Sequence, residues 1–175
     1  MGNVLIFDYD GVIADSLEIF MKKVIAACKK YGSTHVNTKE DFLNLFNGNL
    51  YENLIERGIS KETIPNLIGD FQIGLEEQRK IKLFNGAKEM LEKLSKDNKL
   101  VVITSNVTRV VEESLKLKNI DCFEEVIGAD KETSKVKKIE AVKSKYEGNN
   151  YFYIGDTKGD IIEGRKAGVK TIAVT

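Results

Sequence analysis

The stretch Val4-Leu5-Ile6-Phe7-Asp8-Tyr9-Asp10-Gly11 indicates both the fold and the place to look for a function. Its first four residues are apolar β-formers, typical of a short strand buried on both faces of a sheet. Open α/β sheets place their ligands at the carboxyl ends of such strands, so Asp8 and Asp10 are predicted to lie at a binding edge. Two acids held this close repel each other, which a bound cation or a shared proton would relieve. Asp and Gly also end strands for ordinary turn reasons, so the segment alone is weak evidence.

Length and composition exclude several classes of protein. The chain has 175 residues, of which 42% are hydrophobic and 31% charged, as in a globular protein with one core domain and a modest insertion. The 27 basic and 27 acidic residues cancel, so neither a nucleic-acid polymer nor an anionic membrane is expected as a partner. No apolar run approaches the roughly 18 residues of a membrane span. No signal-peptide pattern precedes Val4, and we expect a cytoplasmic protein.

The few cysteines and histidines narrow the chemistry further. Cys28 and Cys122 lie far apart without a second pair, which supports neither a zinc site nor a disulfide framework. Both are expected to be buried free thiols. His35 is the single histidine, which argues against serine-protease triads and histidine-rich metal sites.

Predicted strands and helices alternate along the chain on either side of a purely helical stretch. The strands are predicted at residues 4–7, 100–103, 125–127, 151–154 and 171–174. The helices are predicted at residues 17–31, 38–46, 50–57, 60–80, 87–94, 107–118, 136–146 and 160–166. Such alternation is typical of a parallel sheet with helices on both faces. We therefore predict an α/β fold, a three-layer doubly wound parallel sheet of about five strands.

Polar residues follow two further predicted strands. Thr104-Ser105-Asn106 ends the second strand just before a helix, where a hydroxyl and an amide can bind a phosphate with help from the helix N-terminus. The alternative is that Ser105 or Asn106 only caps that helix. Gly155-Asp156-Thr157-Lys158-Gly159-Asp160 ends the fourth strand, and two more acids at the same sheet edge suit a hard cation such as Mg²⁺. Asp160 can instead be a helix N-cap.

Lysines crowd the first turn of the helix predicted at 136–146. Lys135, Lys137 and Lys138 lie there although the helix dipole disfavours cations at its N-terminus. A lysine at this position can point at the acidic cluster and offset its charge. The alternative is a group of exposed lysines, which is common and costs little.

Taken together, the motifs resemble the haloacid dehalogenase superfamily, in particular the branch of phosphoglycolate phosphatases and β-phosphoglucomutases. The matching segments are Asp8-Tyr9-Asp10-Gly11, Thr104-Ser105-Asn106, Lys135 and the loop 155–160. Their order and spacing fit, and the likeness extends over essentially the whole core. Residues 17–83, which carry no convincing strand, occupy the position of that family's helical (C1-type) cap. The resemblance therefore implies a core formed by 1–16 and 84–175 with a cap inserted at 17–83.

The resemblance also implies a reaction. Asp8 would be the nucleophile that forms an aspartyl-phosphate. Asp10 would protonate the leaving oxygen and then take a proton from the hydrolytic water, a role that a dehalogenase does not need. Ser105, with the backbone groups of Asn106 and Gly11, would hold the phosphoryl oxygens.

Mg²⁺ is the cofactor that the resemblance implies. It would be held by the Asp8 carboxylate, the Asp10 backbone carbonyl and Asp156, with Asp160 in direct or supporting contact. The ion and Lys135 would neutralise charge between the carboxylate and the incoming phosphate, which otherwise repel each other.

The choice of lysine departs from the family pattern. Relatives usually carry a proline directly after this lysine, where this chain has Val136. We choose Lys135 because Ser134 can cap the helix and Ile139 then faces the core. The lysines that remain as alternatives are Lys131 and Lys137.

The end of the chain is a second departure. Relatives of this cap type generally continue with another strand and helix after the fifth strand, whereas this chain stops at Thr175. We therefore expect the last strand at or near a sheet edge, a position open to further pairing. A monomer and a homodimer both remain open.

The substrate is expected to be a small phosphate ester, selected mainly by the cap. Asn47-Gly48-Asn49, with nearby Tyr51, is the candidate selecting loop, although it can equally be a turn between helices. Arg57 or Arg79 can pair with a substrate carboxylate, but a solvated helix face is the commoner role. A phosphosugar mutase is the alternative enzyme, and a non-catalytic phosphate-binding or receiver domain is the alternative outside enzymes.

Overall fold

A five-stranded parallel sheet lies at the centre of the protein, which a computed structural model describes for residues 2–174. The strands are β1 (Asn3–Phe7), β2 (Lys99–Ile103), β3 (Glu125–Ile127), β4 (Asn150–Gly155) and β5 (Lys170–Ala173). Their order across the sheet is β3-β2-β1-β4-β5. Because β1 pairs with β2 on one side and β4 on the other, the acids that follow it lie at the middle of the sheet edge. The predicted doubly wound fold is confirmed.

Helices occupy most of the remaining chain. They are α1 (Leu17–Lys30), α2 (Lys39–Asn44), α3 (Leu50–Glu56), α4 (Ile64–Phe71), α5 (Leu75–Lys80), α6 (Ala87–Leu94), α7 (Thr108–Leu117), α8 (Lys135–Lys145) and α9 (Lys158–Lys166). Between residues 2 and 174, no helix has the length and apolar character that crossing a bilayer requires.

Side chains of β1 alternate between the two layers of helices that cover the sheet. Val4 and Ile6 pack in a cluster with Ile139 of α8, whereas Phe7 packs in another cluster with Leu91 of α6. This period of two follows from strand geometry, which points successive side chains to opposite faces. A third cluster fills the space among α1 to α4, and it includes Val24, Phe42, Leu54, Leu67 and Phe71.

The segment between α3 and α6 differs from the sequence-based expectation. The single helix predicted at 60–80 is instead a 3₁₀ turn at Lys61–Thr63 followed by α4 and α5. Pro65 lies in the first turn of α4, where its missing N–H and fixed φ are tolerated, so a new helix begins there. The chain is extended at Gln72, and Gly74 is the N-cap of α5. Elsewhere the predicted elements are present, with boundaries shifted by up to two residues.

The expectation for the two cysteines is met in part, and the expected edge position of the last strand is confirmed. Cys28 is a buried free thiol as expected, but Cys122 is only half-buried. β5 is at the sheet edge, and a groove of about 520 Å³ opens beside it. Leu5 lines that groove and is half-buried, so β1 is not fully covered on this face.

Gly159, at the start of α9, forms a tight contact with residues 17–83, which we call the helical segment. Its backbone N–H donates to the carbonyl of Phe46 at 2.7 Å. A Cβ at this position would lie 2.6 Å from the carbonyl oxygens of both Phe46 and Gly48. Only glycine therefore allows the turn after α2 to reach α9 at this distance.

The Gly159→Ala substitution should lower the free energy of unfolding by about 1–3 kcal/mol, because backbone atoms cannot yield to the added methyl group as a side chain would. The matched control is Gly69→Ala in α4, where a Cβ meets nothing within 4 Å. That change should raise the free energy of unfolding by up to about 1 kcal/mol, because alanine has a higher helix propensity than glycine. Urea unfolding followed by circular dichroism measures both; equal effects of the two substitutions would refute the close contact.

Candidate active site

The ends of three neighbouring strands and the start of one helix surround a single cavity of about 280 Å³. Asp8 follows β1, Ser105 follows β2 and Asp156 follows β4, while Lys135 is the first residue of α8. All four line the cavity, together with Asp10. The sheet therefore brings together residues that lie as much as 148 positions apart in the sequence, counting from Asp8 to Asp156.

Lys135 joins two carboxylates at the base of this cavity. Its Nζ lies 2.5 Å from Asp8 Oδ2 and 2.5 Å from Asp160 Oδ1, and all three side chains are buried. Burial alone would lower the pKa of Lys135, but the charges of Asp160 and Asp8 outweigh it and hold the pKa well above its ordinary value. The amine is therefore a permanent ammonium.

Asp160 is held by the start of α9. Its Oδ1 also accepts a hydrogen bond from the Tyr153 hydroxyl at 2.7 Å. Its Oδ2 accepts from the backbone N–H and the hydroxyl of Thr157, at 3.0 and 2.6 Å. Thr157 is the N-cap of α9, and Asp160 is the N3 residue of the same capping box, so Asp160 is not the N-cap itself. Burial raises the pKa of Asp160, but Lys135 and these donors lower it below the ordinary value.

Asp8 and Asp10 lie in different surroundings. Asp8 Oδ1 accepts from the Tyr9 backbone N–H at 2.7 Å, and burial raises the pKa of Asp8 against the opposing charge of Lys135. Asp10 accepts from the Ser16 hydroxyl at 2.6 Å. Burial raises the pKa of Asp10 to about 6, the Ser16 hydrogen bond opposes this, and the Asp8 charge adds to it. One acid is thus paired with an ammonium and the other with a neutral hydroxyl.

Asp156 completes an acidic cluster that fits a hard cation. Carboxylate oxygens of Asp8, Asp156 and Asp160 all lie within 4.8 Å of one another. Lys135 pairs with two of them, and among residues 2–174 Asp156 has no such ion pair. Desolvation, followed by the charges of Asp8 and Asp160, raises the pKa of Asp156 to about 7. Three carboxylates around one ammonium leave an excess of negative charge, and oxygen ligands are what Mg²⁺ requires.

Gly11 is close to the Asp156 carboxylate for a geometric reason. Its φ is +79°, a left-handed conformation that side chains rarely adopt. A Cβ on Gly11 would overlap the Asp156 carboxylate. The glycine in the first motif therefore makes room for the acid in the last one.

The other lysines of this region do not reach the acids. Lys131 donates to the Val126 carbonyl at 3.1 Å, and Lys137 is exposed beside Glu132. Lys138 is buried and donates to the Thr104 carbonyl at 2.5 Å. Burial, then the charge of Lys135, lowers the pKa of Lys138 to about 7. Ser134 caps α8 as expected, with its hydroxyl accepting from Lys137 N–H at 3.4 Å.

The predicted phosphate-binding groups are only partly available. Ser105 lines the cavity, whereas Asn106 does not. The Asn106 N–H donates to Thr104 Oγ1 at 3.0 Å, and its side-chain oxygen accepts from the N–H of Val107, the N-cap of α7. The Gly11 N–H donates to the Ala14 carbonyl at 2.9 Å. The structure thus brings the Ser105 side chain to the cavity and leaves both backbone N–H groups engaged elsewhere.

The loop at residues 47–49, predicted to select the substrate, lines the cavity only in part, and its other residues make structural contacts. Asn47 lines the main cavity, but Gly48 lies against Gly159. Asn49 caps α3 and donates from Nδ2 to Glu163 Oε1 at 3.1 Å. The Tyr51 hydroxyl lies 3.5 Å from the Ser105 carbonyl. Two arginines proposed as substrate ligands lie outside the cavity lining, namely Arg57, which donates to the Asn53 carbonyl, and Arg79, which pairs with Glu76.

Sequence reasoning missed Ser16, Tyr153 and an apolar wall of the cavity. Ser16 follows the first motif by five residues and has the pattern of a helix N-cap, a role that concealed its bond to Asp10. Tyr153 was read only as a strand residue. The wall includes Phe20, which lies in the first helix that the sequence predicts. The partners of Ser16 and Tyr153 are Asp10 and Asp160, six and seven residues away, so pairing nearby polar side chains with the acids could have found them. The residues of the wall come together only in the tertiary structure.

The chain belongs to the haloacid dehalogenase-like hydrolase family, whose profile matches residues 5–174. A pyrophosphatase PpaX from Bacillus mycoides is 24% identical over 184 residues, covering 99% of this chain and 83% of that protein. A structure described as a "predicted phosphatase" from Clostridium acetobutylicum is similar with a TM-score of 0.79 and 22% identity, over 100% of this chain and 85% of that one. A "predicted phosphoglycolate phosphatase" from Haemophilus somnus gives a TM-score of 0.66 and 20% identity, over 99% and 85%.

The Lys135→Met substitution should destabilise the metal-free protein by about 3–5 kcal/mol near neutral pH, because it leaves two buried carboxylates without their counter-charge. The matched control is Lys137→Met, an exposed lysine two residues along the same helix, which should stay within about 0.5 kcal/mol of the wild type. Urea unfolding in EDTA measures both.

The difference in the free energy of unfolding between the wild type and the Lys135→Met variant should shrink as the pH falls from about 7 towards about 4. Without the ammonium, burial raises the pKa of Asp8 and of Asp160, so the folded variant binds more protons than the unfolded chain and gains stability as the pH falls. In the folded wild type the pKa of Asp160 lies below its ordinary value. The ionised carboxylate therefore stabilises the wild type above the ordinary pKa, and this stabilisation is lost as the pH falls through the lowered pKa. A difference that is constant or grows with acidity would contradict the buried ion pairs.

Proposed function

We propose that the protein is a Mg²⁺-dependent phosphatase that hydrolyses small phosphomonoesters through an aspartyl-phosphate on Asp8. The observation that carries the proposal is the pairing of a buried carboxylate with the Lys135 ammonium beside a second acid, Asp10, in one cavity. Membership of the hydrolase family supports it. The names of the similar proteins, a pyrophosphatase and a phosphoglycolate phosphatase, also refer to phosphoryl substrates.

The chemistry proceeds in two steps. A carboxylate oxygen of Asp8 attacks phosphorus, the bond from phosphorus to the ester oxygen breaks, and Asp10 gives its proton to the leaving alcohol. Asp10, now ionised, takes a proton from a water molecule that attacks the phosphorus of the aspartyl-phosphate. Inorganic phosphate leaves and Asp8 is restored as a carboxylate. The pKa of Asp10, raised by burial to about 6, suits a group that must both give and take a proton.

The remaining polar groups hold the reacting atoms in place. The Lys135 ammonium reduces the repulsion between Asp8 and a phosphate dianion, and it stays fixed because Asp160 holds its other side. The Ser105 hydroxyl, just after the end of the neighbouring strand β2, contacts a phosphoryl oxygen. Asn106 and Gly11 contribute less than the family resemblance implies, since their N–H groups already have acceptors.

Mg²⁺ would be held by Asp8 and Asp156, with the Asp10 backbone carbonyl. When bound, it would stabilise the negative charge that develops on the phosphoryl oxygens. Asp160 lies in the same acidic cluster, but four donors already engage its two oxygens. Its supporting role, through Lys135, is therefore favoured over direct contact with the ion.

Residues 17–83 would act as a cap over the core formed by 1–16 and 84–175. The contacts of Phe46 with Gly159 and of Asn49 with Glu163 hold the segment against α9. The segment also supplies the side of the cavity away from the acids. This position allows it to exclude water and to contact the leaving group.

The direct test is release of inorganic phosphate from a panel of phosphomonoesters. The wild type should be active with Mg²⁺ and inactive in EDTA, and Asp8→Asn should reduce kcat by at least about 10³-fold with an unchanged circular dichroism spectrum. The matched control is Asp97→Asn, an exposed acid outside the cavity, which should retain wild-type rates. Wild-type rates in Asp8→Asn would refute the proposal that Asp8 is the nucleophile.

Asp10→Asn tests the second step separately. An amide cannot take a proton from water, so the phosphorylated enzyme should accumulate during turnover of an ester with a good leaving group, such as p-nitrophenyl phosphate. Acid quenching followed by peptide mass spectrometry should locate the phosphoryl group on Asp8. Label on any other residue, or a steady-state rate equal to that of the wild type, would contradict the two-step scheme.

A further inference from the structure

The side of the cavity that faces the acids is apolar. It is built by α1, α2 and the turn after α2, and the apolar residues are Leu17, Phe20, Phe42, Leu43 and Phe46. Within the described part of the chain, Asn47 is the one polar side chain that residues 17–83 add to this lining. We call these five apolar residues the apolar wall.

The apolar wall is preformed. The rings of Phe20 and Phe42 meet edge to face at a centroid distance of 5.9 Å, and those of Phe42 and Phe46 at 5.0 Å. Phe20 also packs on Phe71 at 5.6 Å, which ties the wall to the core of the helical segment. Leu17 and Leu43 are nevertheless 38% and 46% exposed. Large aliphatic side chains left open beside a binding cavity would gain free energy by contacting an apolar ligand.

Positive charge is absent from the apolar wall. Among residues 2–174, the cations that line the cavity are Lys135 and Lys158, and both belong to the side of the sheet. Lys135 is already engaged by Asp8 and Asp160, and Lys158 is exposed. Lys158 belongs to the other side of the cavity, so a second anionic group that lies against the apolar wall would contact leucine and phenylalanine side chains and no cation. Burying a charge there without a partner is costly.

Resting on the proposed phosphatase function, we infer that the preferred substrates are phosphomonoesters of small, uncharged alcohols that carry an aromatic or branched aliphatic group. The phosphoryl group would lie between Asp8, Lys135 and Ser105, and the apolar group would contact the apolar wall. The cavity of about 280 Å³ is slightly smaller than most ligand pockets, which measure roughly 300–1,000 Å³. It therefore suits one ring or a short branched chain. Phosphoglycolate and pyrophosphate, each with a second anionic group, are disfavoured.

A matched pair of substrates tests this preference. Benzyl phosphate and 2-phosphoglycolate both release a primary alcohol, so the comparison reports mainly on the contacts of the leaving group. With Mg²⁺, kcat/KM should be at least about tenfold higher for benzyl phosphate, given the apolar area that a ring buries. Pyrophosphate serves as the third substrate. A higher kcat/KM for phosphoglycolate or pyrophosphate would overturn the inference while leaving the phosphatase proposal intact.

A charge placed in the apolar wall should change the preference. Leu43→Arg supplies a partner for a carboxylate, so the ratio of kcat/KM for benzyl phosphate over 2-phosphoglycolate should fall at least about tenfold. The matched control is Leu117→Arg on α7, a leucine that is 48% exposed and outside this cavity. That control should leave the ratio unchanged. An unchanged ratio in Leu43→Arg would show that the leaving group does not contact the wall.

Binding of non-hydrolysable analogues separates this inference from the phosphatase proposal. 2-Phenylethylphosphonate and 3-phosphonopropionate replace the ester oxygen of the two substrates with a methylene group. Calorimetry with Mg²⁺ should show at least about tenfold tighter binding of the phenyl compound. Tighter binding of the phenyl compound without turnover of any ester would support the wall's preference and refute the phosphatase. Equal or weaker binding than that of 3-phosphonopropionate would refute the preference.

Discussion

The site depends on one buried ammonium that holds two carboxylates from different parts of the fold. Lys135 begins α8, Asp8 directly follows β1 and Asp160 lies in the first turn of α9. Without the lysine, two desolvated acids would repel each other at the middle of the sheet edge, at a cost of several kcal/mol. The same contact fixes the charge that a phosphate dianion would meet. In the proposed mechanism, the stabilising ion pair and the charge that binds phosphate are therefore one set of atoms.

Glycine allows the backbone to close around this cluster. Gly11 adopts a φ of +79° where any Cβ would overlap Asp156, and Gly159 lets two carbonyls of the turn after α2 approach α9. The first contact sets the distance between acids of the first and last motifs. The second fixes the apolar side of the cavity relative to the acidic side. Both are constraints on the space available, and hydrophobic burial in the three clusters supplies the free energy that maintains them.

Much of this arrangement could be predicted from sequence because the signals are local. Short runs of mainly apolar residues marked the strands, and acids directly after two of them had to meet at one edge of a parallel sheet. Lys135 followed from the cap at Ser134 and the core position of Ile139. The prediction of one helix at 60–80 was wrong, because Pro65 starts a new helix and Gly74 caps the next one, although the apolar residues recur with helical spacing. The apolar wall could not be predicted, because it depends on tertiary contacts. The engagement of the Asn106 N–H was missed although it is local, since its acceptor is the Thr104 hydroxyl two residues earlier.

Ser16 shows how the junction with the helical segment acts on the chemistry of the core. As the N-cap of α1 it would normally accept from the first-turn N–H groups, but its side chain makes no capping hydrogen bond and its hydroxyl donates to Asp10. Leaving a helix without its side-chain cap costs about 1 kcal/mol. Asp10 thereby has a neutral partner where Asp8 has a cationic one. In the proposed mechanism Asp8 reacts as a carboxylate while Asp10 gives and takes a proton. Burial raises the pKa of Asp10 to about 6 and the Ser16 hydrogen bond opposes this rise, so the residue just before the helical segment tunes the proposed acid.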